Sequence, residues 1–210
     1  MSDDTDKNKI FTPGASFGDV PEGDSARQAV ASLRGYAYQI AVAALAWIDI
    51  SENDRIFLEV AEDYAAVARD ALQAVQVKDT AASGAATFNT PGIRDAVGSF
   101  VDLAARNAGR RVVLRYFTTS PIGMEHKVDN RPAGEAGLAY WRKAAGGADI
   151  APLRAILLGE TFSETVRTFV SVRDDDALRR DLLQNIHWDC GAPDFSMIRR
   201  ELEERLVVVG

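Results

Sequence analysis

The stretch Phe57-Leu58-Glu59-Val60-Ala61-Glu62-Asp63, with Gln76-Val77-Lys78 further along, decides how this chain is read. The first piece closes a predicted strand on three carboxylates, Glu59, Glu62 and Asp63. The second belongs to another predicted strand. Residues two apart on a strand share a face, so Gln76 and Lys78 project together while Val75 and Val77 point into a core. Carboxylates beside an amide oxygen and an ammonium suit a hard divalent cation held next to a phosphate.

Working outward, residues 55–60 read as a first strand, 64–68 as a second and 72–78 as a third, with Arg69-Asp70 as a turn. Upstream, residues 1–23 are polar and glycine-bearing and read as a flexible tail. Ser25 and Gln28 have the spacing of a capping box that opens a long helix. Ala29, Val30, Leu33, Tyr36, Ala37, Ile40, Ala44, Leu45 and Trp47 recur at helical spacing and predict one broad apolar face, with Gln39 at its margin. Downstream, residues 79–89 read as a loop. Thr90-Pro91 starts a helix that runs to about Asn107 and stops at Gly109. Residues 111–118 read as a buried fourth strand. The expected order is therefore helix, three strands, helix, strand.

Beyond Ser120-Pro121-Ile122-Gly123 the clearest patterns are helical, over residues 153–158, 176–186 and 194–206, with Gly146-Gly147 as a boundary. The predicted organisation is a tail (1–23), an α/β domain with a mixed central sheet (24–145) and a C-terminal helical extension or linker (146–210). The apolar ending Leu206-Val207-Val208-Val209-Gly210 leads to the expectation that the natural chain continues further.

Composition narrows the class. No apolar run approaches the roughly 20 residues that cross a bilayer, and no signal pattern opens the chain, so a cytoplasmic protein without a membrane partner is expected. Cys190 is the single cysteine, and with only His126 and His187 it is too sparse for a structural zinc site. The phosphate-cradling G-x-x-x-x-G-K-[ST] loop, the G-x-S-x-G elbow and G-x-G-x-x-G are absent. A net charge of −7 argues against strong nucleic-acid binding by a lone copy. Between Pro91 and Lys143, however, nine basic residues face five acidic ones, a local excess of +4.

Four motifs in order carry a resemblance: Gly35-Tyr36-Ala37-Tyr38-Gln39, Glu59-x-x-Glu62-Asp63, Val75-Gln76-Val77-Lys78, and the helix Ile93-Arg94-Asp95-Ala96-Val97-Gly98-Ser99-Phe100 leading into Val113–Thr119. Over residues 34–119 the chain resembles the PD-(D/E)xK nuclease superfamily. More narrowly, it looks like the dsDNA-nuclease domain at the N-terminus of bacterial antiphage effectors of the CBASS and AVAST type, in the Mrr-like QxK variant. The resemblance implies a restriction-endonuclease-like αβββαβ core and Mg²⁺- or Mn²⁺-dependent cleavage of double-stranded DNA. It makes Asp63 the central metal ligand, Gln76 the motif residue that is usually acidic, and Lys78 the motif lysine. The Val77 carbonyl becomes a further ligand, and Gln39 a supporting group from the first helix. Because Gln76 is neutral, Glu62 or Glu59 is expected to supply the missing charge. The resemblance further implies a homo-oligomer, fused to or activated by a sensor or ATPase region. Two alternatives stay open: a catalytically inactive nuclease-like fold used for nucleic-acid binding or assembly, and a hydrolase of RNA or single strands. Thr87 and Asn89, in the loop after Lys78, read either as substrate contacts or as a loop cap. His126 reads as a solvated loop residue and His187-Trp188 as helix-end packing.

Overall fold

The structure, a computed structural model, describes residues 24–68, 70–80 and 84–209; the tail 1–23 and Arg69 of the expected turn lie outside them. Residues 24–33, the opening turns of α1 (Asp24–Asp49), form one unit, and residues 34–210 form a second, compact one. The helix already includes Ser25, so that residue is not in the capping position the sequence suggested.

The second unit is built on a five-stranded sheet in the order β1-β2-β3-β4-β5. Strands β1 (Arg55–Leu58), β2 (Tyr64–Val67) and β3 (Ala71–Lys78) form an antiparallel meander. β4 (Arg111–Thr118) runs parallel to β3, joined to it by α2 (Pro91–Arg106), and β5 (Ile186–Cys190) runs parallel to β4. α2 starts at its proline, where the missing N–H costs nothing, and Thr90 stands in extended geometry before it. Gly109, at φ +94, makes the left-handed turn that sends the chain into β4.

The two faces of the sheet bury different partners. Val75 and Val77, with Tyr64, pack on Tyr38, Ala41, Val42 and Ala43 of α1 and on Ile198 of α7 (Phe195–Val209). Leu72 and Ala74, with Val112, Leu114 and Tyr116, pack on Ile93, Ala96, Val97 and Phe100 of α2. That second cluster continues without a break into α3 (Gly137–Ala145), α4 (Ala151–Leu157), α5 (Glu164–Ser171) and α6 (Asp175–Asp181), through Trp141, Leu153, Val166 and Leu178.

Three expectations change here. Ile186–Cys190, with Ile186 expected to end the helix over residues 176–186 and His187-Trp188 to pack at its end, is a strand hydrogen-bonded to β4, since its Ile186 and Trp188 alternate into the core. The boundary expected at residue 146 falls inside one apolar cluster, so residues 146–209 supply a sheet strand as well as helices. The face of α1 expected to be buried is largely turned out: Tyr36, Ile40 and Trp47 are exposed, Leu45 alone of its large residues packs inward, and Tyr38, Ala41 and Val42 meet the sheet. From Tyr36 to Ile48 that helix is apolar all round, and the side bearing Tyr38, Ala41, Val42 and Ala43 is the one that shares a cluster with Val75 and Val77.

Candidate functional site

β2 begins at Tyr64, opposite Val75 of β3. Two residues later β3 has no strand on that side, and the N–H and C=O of Val77 must find other partners. Asp63, the residue just before β2, provides one: the Val77 N–H donates to Asp63 Oδ2 at 2.6 Å. Gln39 provides the other from α1, its Nε2 donating to Asp63 Oδ1 at 2.8 Å and reaching the Val77 carbonyl at 3.4 Å. The structure thus joins Gln39, Asp63 and Val77 in one hydrogen-bonded knot.

Local structure aims each member. Tyr38 is fully buried and its hydroxyl donates to the Pro193 carbonyl at 2.6 Å, which fixes the rotation of α1. Gln39 follows roughly 100° round the helix, at the edge of the buried face. Burial first, then the charges of Asp79 and Asp194, hold the Tyr38 phenol above its ordinary pKa, so it stays a neutral donor. Asp63 is aimed by the loop between β1 and β2, in which Glu59 (φ 56) and Glu62 (φ 64) both adopt left-handed backbone. The Glu59 N–H closes that loop on the Asp63 carbonyl at 3.1 Å. Left-handed geometry costs an L-residue about 1–2 kcal/mol, and a hydrogen bond to a carboxylate returns about 1.5–3 kcal/mol. The two bonds into Asp63 therefore offset the strain that points it at β3.

Gln76 and Lys78 lie on the α2 side of β3, opposite the α1 side where Val77 packs. The Gln76 Oε1 is buried without a hydrogen-bond partner among the described residues. Lys78 is half-buried, and among the described residues it forms no ion pair with Asp63, Glu59 or Glu62. Glu59 is exposed and Glu62 half-buried. No three Asp, Glu, His or Cys side chains gather as a metal-holding group among the described residues, so Glu59 and Glu62 do not join Asp63 in the three-carboxylate cluster the sequence suggested. Both glutamates instead shape the loop. The structure brings together the Asp63 carboxylate, the Val77 N–H and carbonyl and the Gln39 amide, and among the described residues it shows no hydrogen bond or ion pair from Gln76 or Lys78 to Asp63.

Tyr116, unassigned from the sequence, stands beside Gln76 in register on β4. It is buried against Gly92, where a Cβ would meet the phenol oxygen at 2.6 Å, so α2 can approach only as glycine. Burial pushes the Tyr116 phenol up to about 12, with help from Cys190, Asp95 and Asp63. Trp188 continues the same row on β5, its ring centroid 5.9 Å from that of Tyr116, and its buried Nε1 also lacks a partner among the described residues. The parallel register across a helical crossover brings this row together, and no local motif marks it.

The loop residues resolve toward structure. Thr87 Oγ1 accepts from the Asn89 N–H at 3.2 Å and the Thr87 N–H donates to Thr90 Oγ1 at 3.0 Å, a capped turn before α2. Glu125 is fully buried and accepts from the N–H groups of Phe88 and Gly137 at 3.2 and 3.0 Å, fastening that turn. His126 and His187 are exposed. Within the basic stretch, Arg115 and Lys143 are paired with Asp189 and Glu135, while Arg131 and Arg142 bind backbone carbonyls. A cavity of about 400 Å³ lined by Trp141, Arg142, His187 and Trp188 lies along β5 rather than at Asp63. No helix among the described residues is long and apolar enough to cross a membrane. Comparison with protein-family models, with curated proteins and with solved structures gave no match.

Proposed function

We propose that this chain is a Mg²⁺- or Mn²⁺-dependent endonuclease domain, on a restriction-endonuclease-like αβββαβ core, that hydrolyses phosphodiester bonds of double-stranded DNA. The carrying observation is the knot in which Asp63 is clamped between the Val77 N–H and the Gln39 amide, one residue from a buried amide oxygen without a partner. A buried acceptor left unpaired costs about 1–3 kcal/mol, and a cation is the partner that would repay it while also matching a carboxylate and a carbonyl.

In this reading Asp63, the Val77 carbonyl and Gln76 hold the ion, with Asp63 as the sole charged ligand. The ion, when bound, supplies a water acidified enough to attack phosphorus and neutralises the phosphate. Lys78, on the same face as Gln76, orients that water and offsets the charge that grows on the phosphate oxygens. Asp63 enters this role already held by two donors, so little ordering is left to be done when the ion arrives. The order of motifs supports a place in antiphage defence, as an effector released by a sensor or ATPase region. A homo-oligomer would bring two sites to the two strands and pool the basic residues that remain unpaired. A cytoplasmic setting suits that role.

Incubation with supercoiled plasmid and Mg²⁺, across the protein's oligomeric states, tests the proposal. Lys78→Ala should lower cleavage by roughly 10²–10³-fold, the range for removing one transition-state charge stabiliser. Wild-type protein that leaves the plasmid intact in every state, or an unchanged rate in Lys78→Ala, refutes it. A neutral Gln76 in the usual acidic position favours a second reading, a nuclease-like fold kept for nucleic-acid binding or assembly. Calorimetry decides between them, because such a module would take up neither Mn²⁺ nor Mg²⁺.

A further inference from the structure

Gln39 faces two acceptors, Asp63 Oδ1 and the Val77 carbonyl, so its amide must present N–H rather than C=O to them. An N–H₂ group set between a carboxylate and a carbonyl occupies the electrostatic place of a cation that would draw on the same two oxygens. The geometry points to Gln39 as a built-in stand-in for the ion: its amide N–H bridges Asp63 and Val77 in the metal-free protein, and the amide turns over when the ion binds, adding its oxygen to the ligand set. This deepens the metal reading above and rests on it.

The chemistry of the side chain makes the exchange workable. Glutamine carries a donor and an acceptor on one planar group, so a half-turn about its last bond replaces N–H with C=O in the same space. Facing Asp63 and Val77, that oxygen would repel both in the absence of a cation and join both in its presence. A glutamate at 39 could serve only the ion-bound arrangement, because without a cation its charge would oppose that of Asp63. A leucine could serve neither. Gln39 is half-buried and held to one rotation of α1 by Tyr38, so the amide turn needs no movement of the helix.

The test is Mn²⁺ binding by calorimetry on the wild-type chain, Gln39→Glu and Gln39→Leu, with thermal unfolding of each in EDTA and in Mn²⁺. Gln39→Leu should bind Mn²⁺ about tenfold more weakly, the lower end of what loss of a ligand or its immediate support costs. Gln39→Glu should melt below wild type in EDTA, regain that loss in Mn²⁺, and bind the ion about tenfold more tightly. In the wild type, the Gln39 side-chain N–H₂ resonances should shift in step with Mg²⁺ occupancy. A helix residue that merely anchors α1 to Asp63 gives a different result: both variants lose stability in EDTA, and neither changes Mn²⁺ affinity. That result, or Gln39 resonances unmoved at saturating Mg²⁺, overturns the inference while leaving the nuclease reading in place. A wild type that binds no Mn²⁺ removes both together.

Discussion

Two backbone carbonyls at open strand edges, those of Val77 and Trp188, are each met by a side chain from a helix, and they are met differently. Val77 lies where β2 has ended, and its carbonyl receives a long contact from a neutral amide that also serves Asp63. Trp188 lies on the outer strand β5, and its carbonyl receives the guanidinium of Arg142. An unpaired strand edge invites other chains, and a cationic side chain laid along it is a common way to blunt it. The Arg142 contact carries permanent charge and does only that. At Val77 the donor is uncharged and shared, and an acidic group stands beside it. Each region also has one buried side-chain polar atom without a partner among the described residues, an acceptor (Gln76 Oε1) next to Val77 in the chain and a donor on Trp188 itself. Under the proposed metal reading, the edge at Val77 is the one that would exchange its internal donor for an external cation.

Asp63→Ala should break this contrast most severely. It removes the acceptor for the Val77 N–H and for Gln39 at once, leaving a donor of the buried Val77 unpaired at a cost of about 2 kcal/mol. Mn²⁺ binding, measured by calorimetry, should disappear along with plasmid cleavage. If the variant binds Mn²⁺ as wild type does, the cation belongs elsewhere in the molecule and the comparison loses its point.

How much of this could be read beforehand follows from where each signal resides. β3 announces itself because Leu72, Ala74, Val75 and Val77 are apolar on both sides of a strand with helices on both faces, and α2 because Pro91 and Gly109 bracket it. The meeting of Gln39 with Asp63 was legible as an ordered set of motifs, although their distances were not. The burial of α1 was not legible. A helix carrying Tyr36, Ile40 and Trp47 on one side and Tyr38, Ala41 and Val42 on the other has no single apolar stripe to choose. β5 was missed because Ile186–Cys190 is only five residues long, with Ile186 and Trp188 buried and Cys190 half-buried against the same cluster, too short a run to stand out from the helical pattern before it. Tyr116 was missed because its place beside Gln76 depends on a parallel register that no local sequence encodes.

Arg142→Met tests the other edge. The side chain keeps its length and apolar packing but loses the charge-assisted bond to the Trp188 carbonyl, which should lower unfolding free energy by about 2 kcal/mol in urea titration. Mn²⁺ affinity should stay at the wild-type value, since β5 is separated from β3 by β4. A change in Mn²⁺ affinity would mean that the two edges are coupled through the row Gln76, Tyr116 and Trp188.

The smallest effect belongs to the loop that aims Asp63. Glu62 holds a left-handed backbone at φ 64, which an L-residue adopts at a cost of about 1–2 kcal/mol and glycine adopts freely. Against that relief, glycine adds freedom to the unfolded chain worth about 0.5–1 kcal/mol. Glu62→Gly should therefore raise stability, by about 0.5 kcal/mol after the two terms are set against each other. If Glu62 serves only the backbone, Mn²⁺ affinity in this variant should equal that of wild type. Loss of Mn²⁺ affinity alongside the gain in stability would show that the Glu62 carboxylate reaches the ion after all. The strain in the loop would then be tied to chemistry at Asp63, and a second carboxylate would join Asp63 at the edge by Val77.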